Sequence, residues 1–448
     1  MKTEVGKKKM NRRDFVLSGA AGVATFTIVP RHVLGGPGRT PPSGKLNIAG
    51  IGVGGRGAGD LAEVSSENIV ALCDVDQVRA ADTFKRYPKA GRYTDFRVML
   101  EKEHKLIDAV VVATPDHTHA VASMTAIKMG KHVYCEKPLT HSVYEARKIT
   151  EAAREAKVAT QLGNQGQASE EARLLQELIF DGAIGDVREI HGWSKRKGFI
   201  TPRGIPRPEE TPPVPETLDW DLWLGPAAYR PYNPAYLPFK WRGWWDFGTG
   251  VLGDIGCHQS SAIFKALNLG HPAWVEACST NDMAPPEIAE ESAPLGSIVR
   301  YHFPARGSRP AVEMTWWDGG MIPARPEELE PGRRMDGRDG NLYIGDKGKI
   351  LGHRLIPESR MKEYGSIPRV IARSPGHHRE WIDACKGGKP AGSDFVEHGG
   401  LLTEVILLGL IAIRSKEKLY WDGENMRFTN SENANQYLNP PYRKGWTL

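Results

Sequence analysis

Residues 46–57 constrain the fold of this chain more than any other stretch. Their sequence, Leu-Asn-Ile-Ala-Gly-Ile-Gly-Val-Gly-Gly-Arg-Gly, is a short apolar run that ends in closely spaced glycines. Such a run predicts a strand that leads into a turn where glycine lets the backbone approach a pyrophosphate. A helix after the turn would point its free N–H groups at that anion. The stretch therefore predicts a nucleotide-binding turn between a strand and a helix.

The glycines fit the pattern Gly-x-Gly-x-x-Gly in two registers, one that starts at Gly50 and one that starts at Gly52. We prefer the second register, because it lets the apolar strand run its full length before the turn. A glycine-rich turn alone is weak evidence of a nucleotide site, so other motifs must support it. The expected cofactor contacts in this turn are Gly52, Gly54, Gly55, Arg56 and Gly57.

Apolar, strand-like runs alternate with helix-like runs between Lys45 and Gly163. Strands are expected at residues 46–51, 69–73, 109–113 and 132–135, and helices near 58–64, 78–87, 96–103, 121–129 and 143–156. This alternation predicts a parallel α/β sheet with right-handed crossovers. We therefore expect an N-terminal Rossmann dinucleotide-binding domain over residues 45–163.

The alternation stops after Gly163. A helix at 170–180 is followed by strand-like runs at 187–194, 274–279, 297–303, 312–317, 342–344 and 349–351. The apolar run at 401–413 predicts a buried helix near 397–414 that packs on a sheet. These features predict a second α+β domain over residues 164–448, with a mostly antiparallel open sheet.

Residues 1–36 account for the whole net charge of +5, with seven Lys or Arg against Glu4 and Asp14. The rest of the chain is neutral, so nucleic-acid binding has no electrostatic support. Asn11-Arg12-Arg13-Asp14-Phe15-Val16-Leu17 resembles the twin-arginine consensus, and the apolar stretch that follows is too short for a stable membrane span. We expect a signal segment at 1–36, a linker at 37–44 and export to the periplasm. A disordered basic tail is the alternative.

Five cysteines lie at positions 73, 135, 257, 278 and 385. Their number is odd, and they show neither Cys-x-x-Cys nor His/Cys ligand spacing. Because twin-arginine substrates cross the membrane folded, the cytoplasm would set their redox state. We expect free, mostly buried thiols and no metal site.

Asp74 closes the second expected strand, 17 residues after Gly57. A dinucleotide-binding fold places an acid here on the adenosine ribose hydroxyls. Its carboxylate would repel a 2′-phosphate, which favours NAD over NADP. Arg56 and Arg79 are near enough in sequence to leave NADP open, and a helix N-cap at Asp74 or Asp76 is the structural alternative.

Two motifs follow strands at the edge where open α/β sheets bind ligands. Residues 113–119 read Ala-Thr-Pro-Asp-His-Thr-His, and residues 136–138 read Glu-Lys-Pro. A partly buried Lys137 would suit proton chemistry, although each motif alone is compatible with a solvated loop. The residues expected to contact the cofactor here are Thr114, Pro115, Asp116, His119, Glu136 and Lys137.

His258 follows Asp254 by four positions in the sequence. If a helix begins at Asp254, both side chains lie on one face, so that the carboxylate can orient the imidazole and raise its basicity. The other ring nitrogen would then accept a hydroxyl proton. An N-capping Asp followed by a core His remains the alternative.

Residues 193–245 hold six of the twelve tryptophans, interrupted by prolines. This pattern predicts a long structured loop. Aromatic faces exposed in a cleft suit the apolar faces of sugar rings. The alternative for each aromatic residue is burial, where it would hold the loop in place.

Together the glycine turn, the 113–119 motif, Glu-Lys-Pro and Asp-x-x-x-His resemble the Gfo/Idh/MocA oxidoreductase family. The resemblance extends from Lys45 onward and implies a nicotinamide-binding Rossmann domain and an antiparallel sheet that often forms the oligomer interface. It implies that Lys137 contacts the reacting hydroxyl and that His258 is the acid/base, with Asp254 beside it. The expected substrate contacts are Asn164, Gln165, Trp193, Lys195, Trp244 and Trp245.

We expect an NAD-dependent oxidoreductase, with NADP as an alternative cofactor, that transfers hydride at a ring hydroxyl carbon of a sugar, cyclitol or glycoside. Export would remove the enzyme from the nicotinamide pool, so the cofactor should be tightly retained. A redox-neutral NAD-dependent glycoside hydrolase is the second hypothesis, and a non-catalytic sugar-binding protein is a third. A homo-oligomer, dimer or tetramer, is expected.

Overall fold

The first sheet contains six parallel strands in the order β3-β2-β1-β4-β5-β6. This is the doubly wound order of a dinucleotide-binding fold. The computed structural model describes residues 44–196, 202–335 and 337–448, so the expected signal segment lies outside the described residues. The strands are β1 (Asn47–Ile51), β2 (Asn68–Cys73), β3 (Gly91–Tyr93), β4 (Ala109–Val112), β5 (His132–Glu136) and β6 (Thr160–Gly163).

Five helices connect these strands, and every residue of β4 is buried, as expected for a strand covered on both faces. The helices are α1 (Arg56–Glu63), α2 (Ala81–Arg86), α3 (Phe96–Glu103), α4 (Asp116–Lys128) and α5 (Val143–Ala156). Ser142 and Glu145 form a capping box that starts α5 at the predicted residue. The start of α4 was predicted five residues too late, because the helix begins directly after Pro115.

The second sheet has nine strands in the order β13-β12-β11-β7-β10-β9-β8-β14-β15. Only β7 and β10 pair in parallel among its described neighbours, which confirms a mostly antiparallel sheet. Its strands are β7 (Val187–Ser194), β8 (Trp274–Ser279), β9 (Ser297–Phe303), β10 (Val312–Trp317), β11 (Asp339–Gly345), β12 (Gly348–Leu351), β13 (Arg354–Ile356), β14 (Leu419–Asp422) and β15 (Arg427–Phe428).

Eight helices accompany this sheet in the described part of residues 164–448. They are α6 (Glu170–Phe180), α7 (Trp220–Leu224), α8 (Cys257–Leu267), α9 (Pro286–Ala289), α10 (Glu358–Tyr364), α11 (His377–Cys385), α12 (Gly400–Ser415) and α13 (Glu432–Asn435). The segment Phe395–Ser415, which ends in α12, is long and apolar enough to cross a membrane, but 83% of its apolar window is buried. It is the core helix predicted near 397–414, packed against β8, β9 and α5.

Helix α11 returns to the first sheet. Its Trp381 packs with Ile48, Leu61 and Tyr134, and its His378 imidazole lies 3.0 Å from Asp60 of α1. One face of the N-terminal sheet is thus covered by a helix from far beyond the division expected at Gly163.

Residues 217–247, which we call the aromatic strap, cross the carboxyl edge of the first sheet. The Gln77 N–H donates to the carbonyl of Thr217, and the Asp219 N–H donates to the carbonyl of Val75. Two further residues of the strap contact His117, whose buried ring lies between the backbone carbonyls of Trp223 and Phe247. The strap therefore covers the edge where a Rossmann fold binds its ligand.

Candidate functional site

The glycine turn leaves no room for side chains. Gly52 has φ +75°, and a Cβ added there would lie 2.8 Å from the Ala113 carbonyl oxygen. A Cβ on Gly57 would lie 1.9 Å from the Gly52 carbonyl oxygen. These contacts require glycine for the sharp turn and for close packing of α1 on β1. The Gly52, Gly54, Gly57 register accounts for this geometry.

Asp74 holds the glycine turn. Its Oδ2 accepts hydrogen bonds from the backbone N–H groups of Val53, at 2.8 Å, and Gly54, at 3.0 Å. Burial raises the pKa of Asp74, and these backbone donors oppose the shift. Asp74 does not cap a helix, because α2 begins only at Ala81. The carboxylate therefore lies at the predicted strand end and also fixes the turn.

One cleft runs along the glycine turn beneath the aromatic strap. Arg79 and Thr94 line one end, while Lys137 and Arg242 line the other. The expected cofactor residues that line it are Gly52, Gly54, Arg56, Asp74, Thr114, Pro115, Asp116, His119, Glu136 and Lys137. Gly55 and Gly57 belong to the turn but do not line the cleft. The geometry thus brings the separate strand-end motifs to one cleft.

Lys137 and Asp254 form a buried ion pair at the strap end of the cleft. Lys137 Nζ lies 2.5 Å from Asp254 Oδ1, and Arg242 Nε donates to the same oxygen at 3.0 Å. Burial alone would raise the pKa of Asp254, but the charges of Lys137 and Arg242 lower it below its ordinary value. Asp254 is therefore a carboxylate at neutral pH. Its Oδ2 is buried and has no partner within the described part of the chain.

His258 does not pair with Asp254 as predicted. The helix starts four residues earlier than expected, at Gly250, and contains a π-turn over Leu252–Gly256. Asp254 instead points to the two cations, whose charges attract its carboxylate more strongly than a neutral ring. Burial, reinforced by the charge of Lys137, lowers the pKa of His258 to about 3. The half-buried imidazole is thus neutral at pH 7 and has an acceptor nitrogen.

Asp116 is a buried carboxyl in the same cleft. Thr249 Oγ1 donates to its Oδ2 at 2.7 Å, and Oδ1 has no partner among the described residues. Burial raises the pKa of Asp116 to about 7. Unlike Asp254, Asp116 has no direct cation contact that would hold it ionised. At neutral pH Asp254 is therefore ionised, whereas Asp116 is only partly ionised.

His119 is fixed by the backbone. Its Nδ1 and Nε2 each lie 2.8 Å from a carbonyl oxygen, of Pro138 and Thr114 respectively. Burial lowers the pKa of His119 to about 4. The ring lines the cleft but also ties the two strand-end motifs together.

Arg56 links the glycine turn to β5. Its guanidinium lies 3.0 Å from Glu136 and 2.7 Å from Asp60. Gln165 donates to Glu136 at 2.7 Å, and the fully buried Asn164 donates to Ser261 at 2.8 Å. Neither Asn164 nor Gln165 lines the cleft. The structure thus places both amides in internal hydrogen-bond networks rather than in the cleft lining, and their substrate contacts stay a prediction.

The three tryptophans predicted to bind substrate are buried. Trp193 packs with Leu329 and Leu342 in the second domain, while Trp244 and Trp245 donate their indole N–H groups to backbone carbonyls. The prediction of exposed stacking faces is wrong for all three, because large apolar rings gain more by packing than by exposure. Lys195 donates to the carbonyl of Met335, away from the cleft lining.

Sequence reasoning missed Arg242 and Trp241. Both line the cleft, and the Arg242 guanidinium lies 4.1 Å from the Trp241 ring centroid. The available signal was an arginine within the tryptophan-rich sequence Trp-Arg-Gly-Trp-Trp, twelve residues before Asp254. Within the described ranges, no cluster of three or more His, Cys, Asp or Glu side chains is suited to a metal ion.

Two family models match the chain. Residues 45–164 match the NAD-binding Rossmann fold of the Gfo/Idh/MocA oxidoreductase family, and residues 204–278 match its C-terminal alpha/beta domain. The first match confirms the expected Rossmann domain and NAD as the cofactor that it binds.

Three relatives illustrate the range of similar proteins. A 1,5-anhydro-D-fructose reductase of Ensifer adhaerens is 26% identical over 228 residues, which are 48% of this chain and 56% of the relative. An inositol 2-dehydrogenase of Rubrobacter xylanophilus is 31% identical over 34% of this chain and 45% of the relative. A glycosyl hydrolase family 109 protein of Shewanella pealeana is 28% identical over 41% of this chain and 45% of the relative. The matches span about half the length of these relatives.

Solved structures share the fold. An NAD-binding protein from Listeria innocua superposes with a TM-score of 0.57 at 15% identity, over 84% of this chain and 97% of its own. The WlbA dehydrogenase from Bordetella pertussis, in complex with NADH and UDP-GlcNAcA, superposes with a TM-score of 0.56 at 17% identity. The superposition covers 84% of this chain and 99% of the dehydrogenase. At these identities the likeness is one of fold.

Proposed function

We propose that this chain, whose residues 45–164 and 204–278 match models of the Gfo/Idh/MocA oxidoreductase family, transfers hydride at a ring hydroxyl carbon of a sugar, cyclitol or glycoside. The single observation that carries this proposal is the buried ion pair that Asp254 forms with Lys137, which lines the same cleft as the glycine turn. The reductase and dehydrogenase relatives act on substrates of this class by their names.

The residues present fit a dinucleotide. Gly52 and Gly57 permit the tight turn that leads into α1, whose first-turn N–H groups would bind a pyrophosphate, and Asp74 lies just after the end of β2. Thr114, Pro115 and Lys137 line the far end of the cleft, where they would hold the nicotinamide half. When bound, NAD supplies the hydride acceptor at nicotinamide C4. The chain's own residues supply position, charge and proton transfer.

Lys137 and His258 divide the proton chemistry. One ammonium N–H of Lys137 binds Asp254, and the other two remain to donate to the substrate oxygen. His258 is neutral, because its pKa is lowered to about 3, and accepts the hydroxyl proton as hydride leaves the same carbon. Asp254 holds the Lys137 ammonium in place through their 2.5 Å contact.

We place the enzyme outside the cytoplasm, from the twin-arginine-like segment in residues 1–36. An exported enzyme meets no nicotinamide pool, so its cofactor must enter before export and dissociate slowly. The aromatic strap supports retention, because it is tied to the first domain near Val75 and at His117. Net turnover then requires a second substrate that resets the cofactor.

Product analysis tests this function directly. Purified, mature protein is denatured, and we expect one nicotinamide dinucleotide per chain in the supernatant. Folded protein is then incubated with sugars, cyclitols and glycosides, and the bound cofactor should be reduced by a subset of them. His258→Ala should abolish that reduction while the bound cofactor remains. Full turnover by His258→Ala and Lys137→Ala would contradict the site assignment.

The similarity to a glycosyl hydrolase family 109 protein favours one second candidate, a redox-neutral glycoside hydrolase. Here a ring hydroxyl is oxidised to a ketone, the aglycone leaves by elimination, water adds to the resulting enone, and the stored hydride returns to the ketone. The sum of these steps is hydrolysis. Aryl glycosides without any added acceptor should release phenol, and deuterium from solvent should appear at C2 of the product. Phenol release without deuterium would exclude the elimination route.

We also propose a homo-oligomer, dimer or tetramer. The open nine-stranded sheet supports this proposal, since its outer face carries aromatic side chains such as Trp274 and Trp317, which are only half buried. Light scattering of the purified chain tests it, and a monomer at micromolar concentration would contradict it.

A further inference from the structure

Arg242 is the residue of the cleft that the proposed chemistry leaves without a function of its own. It lies in the aromatic strap, and its side chain is 13% exposed. The guanidinium is held between the rings of Phe239 and Trp241, whose centroids lie 3.8 and 4.1 Å from its central carbon. Such stacking fixes the plane of the guanidinium.

The hydrogen bonds of Arg242 leave donors unused. Nε donates to Asp254 at 3.0 Å, and Nη1 makes a long contact of 3.4 Å with the carbonyl oxygen of Phe239. Arginine has five N–H donors, and Nη2 has no hydrogen-bond partner in the described part of the chain. Arg242 lines the same cleft as Lys137, so its unused donors are available to a group bound there.

The charges at this end of the cleft do not balance. Lys137 and Arg242 are two cations, and they share one oxygen of a single carboxylate, Asp254. The neighbouring Asp116 has no salt bridge to either of them, and burial raises its pKa to about 7 although both cations oppose the shift, so that it is only partly ionised at neutral pH. The site thus holds an excess positive charge in a partly buried place, which an anionic substrate group would neutralise.

We propose that Arg242 binds a carboxylate of the substrate, so that the enzyme acts on acidic sugars such as uronates or their glycosides. The planar fork of a guanidinium matches a carboxylate in a bidentate way. Lys137 and His258 would act on a ring hydroxyl while Arg242 anchors the acid group. This inference rests on the proposed hydride transfer and adds the substrate class.

Matched substrates test the proposal on the wild-type protein. Reduction of the bound cofactor is followed with D-glucuronate, its methyl ester and D-glucose, and with D-galacturonate and D-galactose. The free acids should show kcat/KM roughly 100-fold above their neutral partners, as expected for a charge-assisted bidentate contact. Equal values for acid, ester and neutral sugar would overturn the inference and leave the hydride-transfer function intact. Absence of reduction by every sugar would overturn both.

Variants of Arg242 distinguish binding of the substrate carboxylate from positioning of Asp254. Arg242→Gln should remove most of the preference for acids over neutral sugars, and Arg242→Lys should keep part of it. Lys240→Gln, an exposed neighbour in the same strap, should keep the preference. If Arg242→Gln lowers kcat/KM by the same factor for acids and neutral sugars, Arg242 only positions Asp254 and the inference is wrong. Cofactor content and Tm establish that each variant is folded.

Discussion

Lys137 Nζ lies 2.5 Å from Asp254 Oδ1, which joins the end of β5 to the π-turn that leads into α8. The two residues are 117 positions apart in sequence and come from different domains. Both side chains are largely buried, at 10% and 3% exposed, so each provides an opposite charge where water provides little. The pair therefore makes the proton chemistry of the site depend on the contact between the domains.

Removal of Lys137 should abolish turnover and spare the fold. We expect Lys137→Ala to lower kcat/KM by a factor of roughly 1000, because the substrate oxygen loses its donor and Asp254 keeps only Arg242. Lys131→Ala is the matched control, since Lys131 lies just before the opposite end of the same strand. A Lys137→Ala variant as active as Lys131→Ala would show that Lys137 has no role in turnover.

The glycine turn offers a second matched pair. Gly57→Ala should abolish NADH binding, because the new Cβ would lie 1.9 Å from the Gly52 carbonyl oxygen. Gly59→Ala, two residues further along α1, meets no atom within 4 Å. It should bind NADH normally and gain up to about 1 kcal/mol of stability from the better helix former. Binding is measured by NADH fluorescence titration, and tight binding by Gly57→Ala would refute this account of the turn.

The strap should control cofactor release. His117→Ala removes the ring that lies between the carbonyls of Trp223 and Phe247, so we expect bound NADH to leave about 10-fold faster. The release rate is read from the loss of NADH fluorescence after addition of excess NAD. His104→Ala changes an exposed histidine and should release NADH at the wild-type rate. Identical rates for the two variants would mean that the strap does not retain the cofactor.

Asp116 should make the protein less stable as pH rises. Its pKa is about 7 in the folded chain against 3.8 for the free side chain, so the unfolded chain loses this proton first. The resulting loss of folding free energy is absent below pH 4, grows between pH 4 and 7, and is complete above pH 7. Asp116→Asn keeps the acceptor for Thr249 and removes the penalty, so it should raise the free energy of unfolding at pH 8 by roughly 1–3 kcal/mol.

The control for this prediction is the same comparison at pH 4. The two proteins should have similar stability there, because Asp116 is protonated in the folded wild type. Asp60, whose pKa is also raised to about 7 by burial, titrates equally in both proteins and cancels. A constant difference between pH 4 and 8, measured by urea unfolding, would contradict the titration of Asp116.

Two tryptophans of the strap should respond differently to truncation. Trp244 is fully buried, so Trp244→Ala should cost about 3–5 kcal/mol of stability and change KM little in the protein that remains folded. Trp241 lines the cleft and stacks on Arg242, so Trp241→Ala should raise the KM for substrate. Urea unfolding and steady-state kinetics distinguish the two effects. A large change of KM in Trp244→Ala alone would reverse this assignment.

Local patterns predicted most of the fold. The glycine turn, the apolar strands and the cap at Ser142 are encoded within a few residues, so β7 to β10 and α3, α5 and α6 were predicted with their observed bounds. Strands β3 and β6 were missed, because three or four residues show no clear period. Packing of α11 on the first sheet was also missed, since it depends on contacts across the whole chain.

The site was predicted less completely, because burial and charge pairing are properties of the assembled fold. The motif at residues 113–119 and Lys137 were placed correctly at the cleft, since strand ends determine their position. Asp254 was expected to face His258, but its carboxylate instead contacts Lys137 and Arg242, which come from other parts of the sequence. Trp241 and Trp244 belong to one buried cluster, and the aromatic spacing did not indicate that only Trp241 also lines the cleft.

The return of α11 to the first sheet bears on the order in which this protein matures. The glycine turn is synthesised early, but the strap that covers its cleft ends at residue 247, and Trp381, which packs behind Ile48, comes later still. In a ribosome-bound N-terminal half, the nucleotide cleft therefore lacks both the aromatic strap that covers it and the helix α11 that packs on the first sheet. Dinucleotide can be enclosed only once nearly the whole chain has emerged. For an exported enzyme, that leaves the interval between the end of translation and membrane crossing as the time for loading.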